Sequence, residues 1–167
     1  RVLFTDGGPG AGSGVFTFNG VALAEGDNTL TAQATDGGGT SSAVSPVVNV
    51  HVDSIAPAQI VDLAAVKGAA EGEIDLTWTA VGDDAGVGTA VSYEVRLSTN
   101  PFTHETWPLA QVVADAAPTQ QVAGQSESMT LTALPAGQLT WVGIRVVDEL
   151  GNVSITSNVV SQNAMDT

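Results

Sequence analysis

The amino-acid sequence predicts an all-β protein made of two tandem β-sandwiches, of which the first is incomplete. Apolar and polar residues alternate with a period of two, which is the pattern of half-buried strands. Turn sequences rich in Gly and Asp separate these stretches at roughly 8–12 residues, a spacing typical of sandwiches and barrels. The alternating stretches include TFNGVAL, NTLTAQAT, VVNVHVD, EIDLTWTA, VSYEVRLS, SMTLTAL and TWVGIRVVD.

The clearest boundary between modules lies in the stretch HVDSIAPAQIVDL. An alternating strand ends at Asp53, and a new strand begins near Ile60. Between them, Pro57 lacks the N–H group that a strand ladder needs, so we expect it to block pairing there. The predicted organisation is a partial module over residues 1–54, a linker over 55–58, a sandwich over 59–162 and a tail over 163–167.

The second module contains seven predicted strands in about a hundred residues, which is the strand count of a β-sandwich domain. We place these strands at 60–66, 73–80, 91–98, 110–114, 127–133, 139–148 and 153–160. Large apolar residues of equal parity within a strand share one face, which predicts the core. The predicted core residues are Ile74, Leu76, Trp78, Tyr93, Val95, Leu97, Val142, Ile144 and Val146.

The second module resembles a bacterial fibronectin type III domain over residues 59–162. The stretches that carry this resemblance are IDLTWTAVGDD, VSYEVRLSTNPFT, LTALPAG and IRVVDELGNVSITSNVV. The family usually has a Tyr where this chain has Thr140, and Trp141 follows on the opposite face. The resemblance implies an immunoglobulin-like sandwich in which the usual tyrosine corner is lost or replaced.

The first module resembles the C-terminal half of a bacterial immunoglobulin-like domain over about residues 1–54. GVFTFNGVALAEGDNTLTAQATDGGGTSS has the hairpin pattern of that family, and VVNVHVDSIAPA has its last strand and linker. The chain opens without Met, inside a strand that we predict from Val2 to Thr5. We therefore expect a cut chain, a module that another chain completes by strand addition, or a module smaller than the family suggests.

The charge and composition exclude several kinds of partner. The chain has four Lys and Arg residues and 18 Asp and Glu residues, which gives a net charge of −14. A chain with this charge would repel nucleic acid and anionic lipid surfaces. No stretch is apolar for long enough to insert in a membrane. The chain has no Cys, which excludes disulfides, zinc fingers and thiol chemistry.

No catalytic residue is predicted, and we expect the chain not to be an enzyme. The two histidines, His51 and His104, stand in no recognisable order with a nucleophile, and no catalytic or phosphate-binding motif occurs. The Gly-rich stretches DGGPGAGSG and DGGGTSS lead into strands rather than helices, which indicates hairpin loops. No cofactor is predicted, with calcium as the alternative.

Calcium is the one metal that the acidic loops suggest. Ca²⁺ takes six to eight oxygen ligands, several of them carboxylates, and adjacent loops could supply these. The candidate ligands are Asp53, Asp83, Asp84 and Asp148, with Glu149 beside the last. The alternative is that these are solvated turn residues, each capping its own turn.

The sequence as a whole favours a non-catalytic structural or spacer segment of a bacterial extracellular or cell-surface protein. Its expected partners are neighbouring domains of the same polypeptide or like subunits. The first alternative is a self-assembling filament or surface-layer subunit that completes its N-terminal module by strand addition. The second alternative is a carbohydrate-binding or adhesion module, in which Trp107 would stack on glycans unless it plugs one end of the sandwich.

Overall fold

The computed structural model describes residues 2–5, 19–113 and 118–167, and it is all-β as predicted. The chain divides into two units, Arg1–Ser54 and Ile55–Thr167, which are described separately below. In the described ranges, helical structure is limited to a single 3-10 turn at Trp107–Leu109. No helix there is both long enough and apolar enough to cross a membrane.

The first unit consists of short paired strands. β2 pairs antiparallel with β4, and β1 pairs parallel with β3. The strand that we predicted in TFNGVAL is absent over residues 19–23, because Gly20 has a φ of 72° and interrupts the extended backbone; the first two residues of that stretch, like the loop DGGPGAGSG, fall outside the described ranges. The strands are β1 Val2–Thr5, β2 Gly26–Leu30, β3 Ala32–Thr35 and β4 Val48–Val52.

The second unit is a sandwich of two antiparallel sheets. One sheet has the order β11-β10-β7-β8, and the other has the order β5-β6-β9. Each of the seven predicted strands has a counterpart, but the bounds differ. The first begins four residues later than predicted, the fourth has only two residues, and the last shares only Val160 with the predicted range 153–160. The strands are β5 Ala64–Lys67, β6 Ile74–Thr79, β7 Ser92–Ser98, β8 Gln111–Val112, β9 Ser126–Leu131, β10 Leu139–Val147 and β11 Val160–Asn163.

The core of the second unit lies between these sheets and contains the predicted residues. In β6 the side chains of Ile74, Leu76 and Trp78 alternate inward and are 0–3% exposed. The Trp78 and Tyr93 rings meet edge to face, with 5.2 Å between their centres. Leu97, the exception to full burial, is only partly buried against the core. The remaining predicted members, Val95, Val142, Ile144 and Val146, are all buried.

The first strand begins late because a distant side chain occupies its backbone groups. The Asn158 side-chain oxygen accepts the Leu63 N–H at 2.9 Å, and the Asn158 side-chain nitrogen donates to the Leu63 carbonyl at 2.8 Å. The Asn158 N–H also donates to the carbonyl of Ile60. Residues 60–63 are therefore held by one asparagine rather than by a strand ladder, and β5 begins only at Ala64.

The linker pairs with the second unit, which corrects our expectation for Pro57. The Ala58 N–H donates to the Ala85 carbonyl at 2.8 Å, and the Ala85 N–H donates to the Ala56 carbonyl at 3.3 Å. Pro57 forms a parallel bridge with Ala85 because its neighbours supply both hydrogen bonds. The missing N–H of proline is therefore not needed at this position.

The same turn occurs in both units. Asp36 Oδ1 accepts the backbone N–H groups two and four residues further on, at 3.0 and 2.8 Å. Asp148 Oδ1 accepts the equivalent N–H groups at 3.0 and 2.7 Å. The glycine three residues after each Asp has a positive φ, 86° in the first unit and 88° in the second, a conformation that glycine adopts without strain.

A pair of serines after each turn completes this repeated hairpin. Ser42 and Ser45 in the first unit, and Ser154 and Ser157 in the second, each accept a facing backbone N–H through the hydroxyl, at 2.9–3.1 Å. The hydroxyls replace ladder carbonyls, so β11 starts at Val160 rather than at the predicted residue 153. Beyond the serines, β2 pairs with β4 in the register that β10 keeps with β11, since Leu30 faces Val48 as Val142 faces Val160.

The two copies of the hairpin differ in burial. In the second unit the inward side chains Val142, Ile144 and Val146 are 0–1% exposed, because the β5-β6-β9 sheet covers them. Their counterparts in the first unit are half-buried or exposed, and no described side chain between residues 19 and 54 is buried. These counterparts are Leu30, Ala32 and Ala34.

Candidate functional site

Two acidic loops lie at one end of the second unit. The Val91 N–H donates to the Val147 carbonyl at 3.0 Å, which places the loop before β7 beside the turn after β10. Asp83 and Asp84 belong to the first of these loops, and Asp148 begins the second. Asp53, the remaining predicted calcium ligand, follows β4 in the first unit.

Asp83 and Asp84 organise their own loop. Asp83 Oδ1 accepts the Asp84 N–H at 3.1 Å and lies against Gly88, where no side chain could be accommodated. Among the described residues, neither carboxylate joins a cluster of three acidic or His ligand atoms within 4.8 Å of one another. Asp83 therefore behaves as a residue that caps its own turn, while the calcium role predicted for both residues stays a prediction.

Asp148 has a different environment. Its side chain is 3% exposed, and Oδ1 accepts the two turn N–H groups described above. Burial alone would raise the pKa of Asp148, but the Asn152 side chain and the backbone N–H groups of the turn outweigh it and lower this pKa. The buried Oδ2 has no hydrogen-bond partner among the described residues. Asp148 is thus a buried, ionised carboxylate with one uncompensated oxygen.

Glu149 places a second carboxylate next to this oxygen pair. A carboxylate oxygen of Glu149 lies within 4.8 Å of one from Asp148, and the Glu149 side chain is exposed. Two carboxylates at this separation can share one hard cation that binds oxygen ligands.

The histidines are used in tertiary contacts. His51 Nδ1 lies 2.7 Å from Asp27 Oδ1, across the β2–β4 pair. His104 Nδ1 accepts the Thr156 N–H at 3.3 Å and a guanidinium N–H of Arg145 at 3.2 Å. Because Nδ1 accepts these hydrogen bonds, neutral His104 carries its proton on Nε2. His104 thus fastens its loop to the segment before β11.

Trp107 lies in a second apolar cluster on the outer face of the four-stranded sheet, where Trp141 also packs. Trp107 is 2% exposed, and the guanidinium carbons of Arg145 and Arg96 stand 4.6 and 5.3 Å from its ring centre. Arg145 also donates through Nε to Thr156 at 2.9 Å. These contacts clamp the loop onto the sheet, and the burial of Trp107 agrees with packing rather than sugar stacking. Thr140, which stands where fibronectin type III domains usually have a tyrosine, is buried, with 3% of its surface exposed.

A groove opens beside β8 in the second unit, with a volume of ≈ 490 Å³. Its lining includes Leu97, Val112, Leu134 and Thr140, and no charged side chain contributes to it. Among the described residues, its polar lining consists of hydroxyl and amide side chains such as Ser98 and Gln138, with no acidic or basic group beside them to activate a nucleophile.

Two features of the structure, the repeated hairpin and the buried Glu127, were not predicted from the sequence. The repeated hairpin has a detectable pattern, since TDGGGTSSAVSPVV and VDELGNVSITSNVV share Asp, Gly, two Ser and a Val pair at equal spacing. Glu127 is buried, with 4% of its surface exposed, and its carboxylate accepts hydrogen bonds from the Tyr93 hydroxyl at 3.3 Å and from the Gln121 N–H at 2.6 Å. Its parity with Met129 and Leu131 in β9 places Glu127 on the inward face, but we did not predict it as a core residue because a carboxylate is rarely buried.

Comparison with known proteins finds local similarity to one vertebrate protein. Calcium-activated chloride channel regulator 2 of Homo sapiens is 44% identical over 61 residues, covering 36% of this chain and 6% of that protein. Its Mus musculus counterpart is 32% identical over 96 residues, covering 57% of this chain and 10% of that protein. The chain thus spans a tenth or less of these relatives, and no family model matches it.

Solved structures establish the fold. The FN1–FN3 domains of chicken CNTN1 align with 86% of this chain and 45% of that one, with 15% identity and a TM-score of 0.52. A Fn3-like protein from Clostridium thermocellum covers 67% of this chain and 97% of its own, with 20% identity and a TM-score of 0.44. The fold is a β-sandwich of the fibronectin type III and immunoglobulin-like kind. The bacterial origin stays a prediction.

Proposed function

We propose that this chain is a non-catalytic structural segment, a spacer, of an extracellular or cell-surface protein. The observation that supports it best is how the second unit uses its side chains. Its large apolar groups fill the space between the sheets, and His104 and the two arginines of this unit fasten a loop to the outer face. These side chains thus hold the sandwich together, as a spacer requires.

The fold and charge support the location and role that we propose. Fibronectin type III-like sandwiches suit spacer and adhesion modules, and the net charge of −14 keeps such a module soluble and free of non-specific contacts with polyanions. Bacterial origin belongs to the same proposal and is supported by the resemblance of the strand motifs.

Sedimentation velocity of the full chain over a wide concentration range tests the spacer role. A spacer is expected to sediment as a monomer at every concentration, with no particles in electron micrographs. Large, regular particles that grow with concentration would contradict the spacer role and support the filament alternative.

The filament alternative is supported by one specific observation, the uncovered inner face of the hairpin in the first unit. Its inward residues are exposed or half-buried where their counterparts in the second unit are fully covered. If a partner sheet covers this face, Leu30→Lys should abolish assembly, whereas Thr29→Lys on the outward face should not. Equal assembly of both variants would contradict completion by strand addition.

Carbohydrate binding lacks a platform among the described side chains. Within residues 19–113 and 118–167, no Trp, Tyr or Phe ring is exposed, and Trp141 is only half-buried against the outer cluster. Glycan binding therefore stays a prediction, which changes in Trp fluorescence across a glycan panel would test.

A further inference from the structure

We propose that the turn after β10 binds a divalent cation, Ca²⁺, through the carboxylates of Asp148 and Glu149. This site goes beyond the spacer role and does not depend on it. The sequence suggested four aspartates as candidate calcium ligands, whereas our proposal for the second unit uses only the turn that begins at Asp148.

The first observation is the pairing of two carboxylates. Oxygens of Asp148 and Glu149 lie within 4.8 Å of each other, so both can contact one ion. None of the basic residues of this unit forms a salt bridge with either acid: Arg96 pairs with Glu94, and Arg145 bonds Thr156 and His104. The negative charge of the turn is therefore not neutralised by a described side chain.

The second observation is the uncompensated oxygen of Asp148. Its side chain is 3% exposed, and Oδ2 has no hydrogen-bond partner among the described residues. A buried carboxylate oxygen without a partner is costly, because the solvation lost on burial is not replaced. A cation bound at this oxygen would replace that solvation.

The hairpin of the first unit shows that turn formation does not require this arrangement. Asp36 makes the same two hydrogen bonds through Oδ1, but its side chain is exposed and the next residue is Gly37. The turn therefore explains Oδ1 of Asp148 and leaves Oδ2 and Glu149 unexplained. Asp36 consequently serves as a matched control.

The donor set determines the class of ion. Carboxylate oxygens are hard ligands, and a site with one buried and one exposed carboxylate, which completes its shell with water, suits the flexible coordination of Ca²⁺ better than the strict octahedron of Mg²⁺. Two carboxylates correspond to the weak end of calcium sites, with a Kd of roughly 0.1–1 mM as in extracellular modules.

The test uses the full chain at constant ionic strength, with CaCl₂ as the probe. Calorimetry should show one site, and 10 mM Ca²⁺ should raise the Tm of the second unit by roughly 5–10 °C. An equal concentration of Mg²⁺ should raise the Tm less. Asp148→Asn keeps Oδ1 as an acceptor and should abolish the shift, whereas Asp36→Asn removes the same charge from the same turn and should retain it.

Glu149→Gln provides a second variant in case Asp148→Asn does not fold, because Glu149 is exposed. It should weaken Ca²⁺ binding several-fold without changing the Tm measured in EDTA. The proposal is overturned if the wild-type Tm does not respond to Ca²⁺. It is equally overturned if Asp36→Asn loses the response as fully as Asp148→Asn, since the effect would then follow net charge. Either failure would leave the spacer role intact, because that role is tested by sedimentation.

Discussion

Tyr93 is the only tyrosine in the chain, so its ionisation can be followed directly by the ultraviolet absorbance of tyrosinate. Its ring is buried at 6% exposure against Trp78, and its hydroxyl donates to Glu127 at 3.3 Å. Burial raises the pKa of Tyr93 to about 12; Trp78 opposes this shift in part, and the Glu127 carboxylate adds to it. We therefore expect the absorbance of the folded protein to remain that of neutral tyrosine through pH 10.

The same shift predicts a loss of stability at alkaline pH. In the unfolded chain the tyrosine pKa is about 10, so both states hold the proton below that pH and the contribution to stability is complete. Above pH 10 the unfolded state releases its proton first, and the contribution is lost as the pH rises through about 12. A shift of about 2 units corresponds to about 2.7 kcal/mol, a large share of an ordinary domain's stability.

The assay combines a pH titration of tyrosinate absorbance with urea unfolding at several pH values. Tyr93→Phe should lower stability at neutral pH by about 1 kcal/mol through the lost hydrogen bond. It should also remove most of the slope of stability against pH between 10 and 12. A titration midpoint near 10 in protein that is still folded would refute the reasoning, as would an unchanged slope in Tyr93→Phe.

Three further substitutions test the packing. Each is measured by scanning calorimetry, which records the unfolding transitions of both units. Leu76→Ala removes a fully buried side chain and should cost about 2–5 kcal/mol; a cost below about 1 kcal/mol would contradict the core assignment. Arg145→Met should lower the free energy of unfolding by about 1–3 kcal/mol, because the hydrogen bond to Thr156 and the contact with the Trp107 ring are lost. Lys67→Met, at an exposed site, should leave it nearly unchanged. Similar losses in the two variants would show that the contacts of Arg145 with Trp107 and Thr156 do not stabilise the fold. Ser154→Ala leaves the buried N–H of Val146 without its acceptor and should lower the free energy of unfolding by about 1–3 kcal/mol. In Ser42→Ala, water can replace the hydroxyl as acceptor for the exposed N–H of Ala34, so the loss should be smaller. Equal losses would contradict the argument that burial of the N–H sets the size of the effect.

The sandwich core could be predicted from the sequence because it depends on local periodicity. Ile74, Leu76 and Trp78 share a parity, and a strand with one buried face can satisfy that parity in only one way. The same argument predicted that Thr140 and Trp141 would lie on opposite faces, and they do.

The features that the sequence did not predict depend on contacts between distant residues. Asn158 holds residues 60–63 from almost a hundred positions away, and no local pattern indicates this interaction. The clamp on Trp107 likewise requires Arg96 and Arg145, which come from different strands. The candidate cation site depends on the burial of one oxygen of Asp148, which spacing along the chain does not specify.

The central claim is that the second unit is a rigid structural element, and pulling single molecules of the full chain tests this most directly. A spacer sandwich is expected to unfold in one cooperative event. The event from Ile55 to Thr167 should release about 400 Å of contour length, at about 3.6 Å per extended residue. Gradual extension without a discrete event, or release in several small steps, would contradict a rigid spacer.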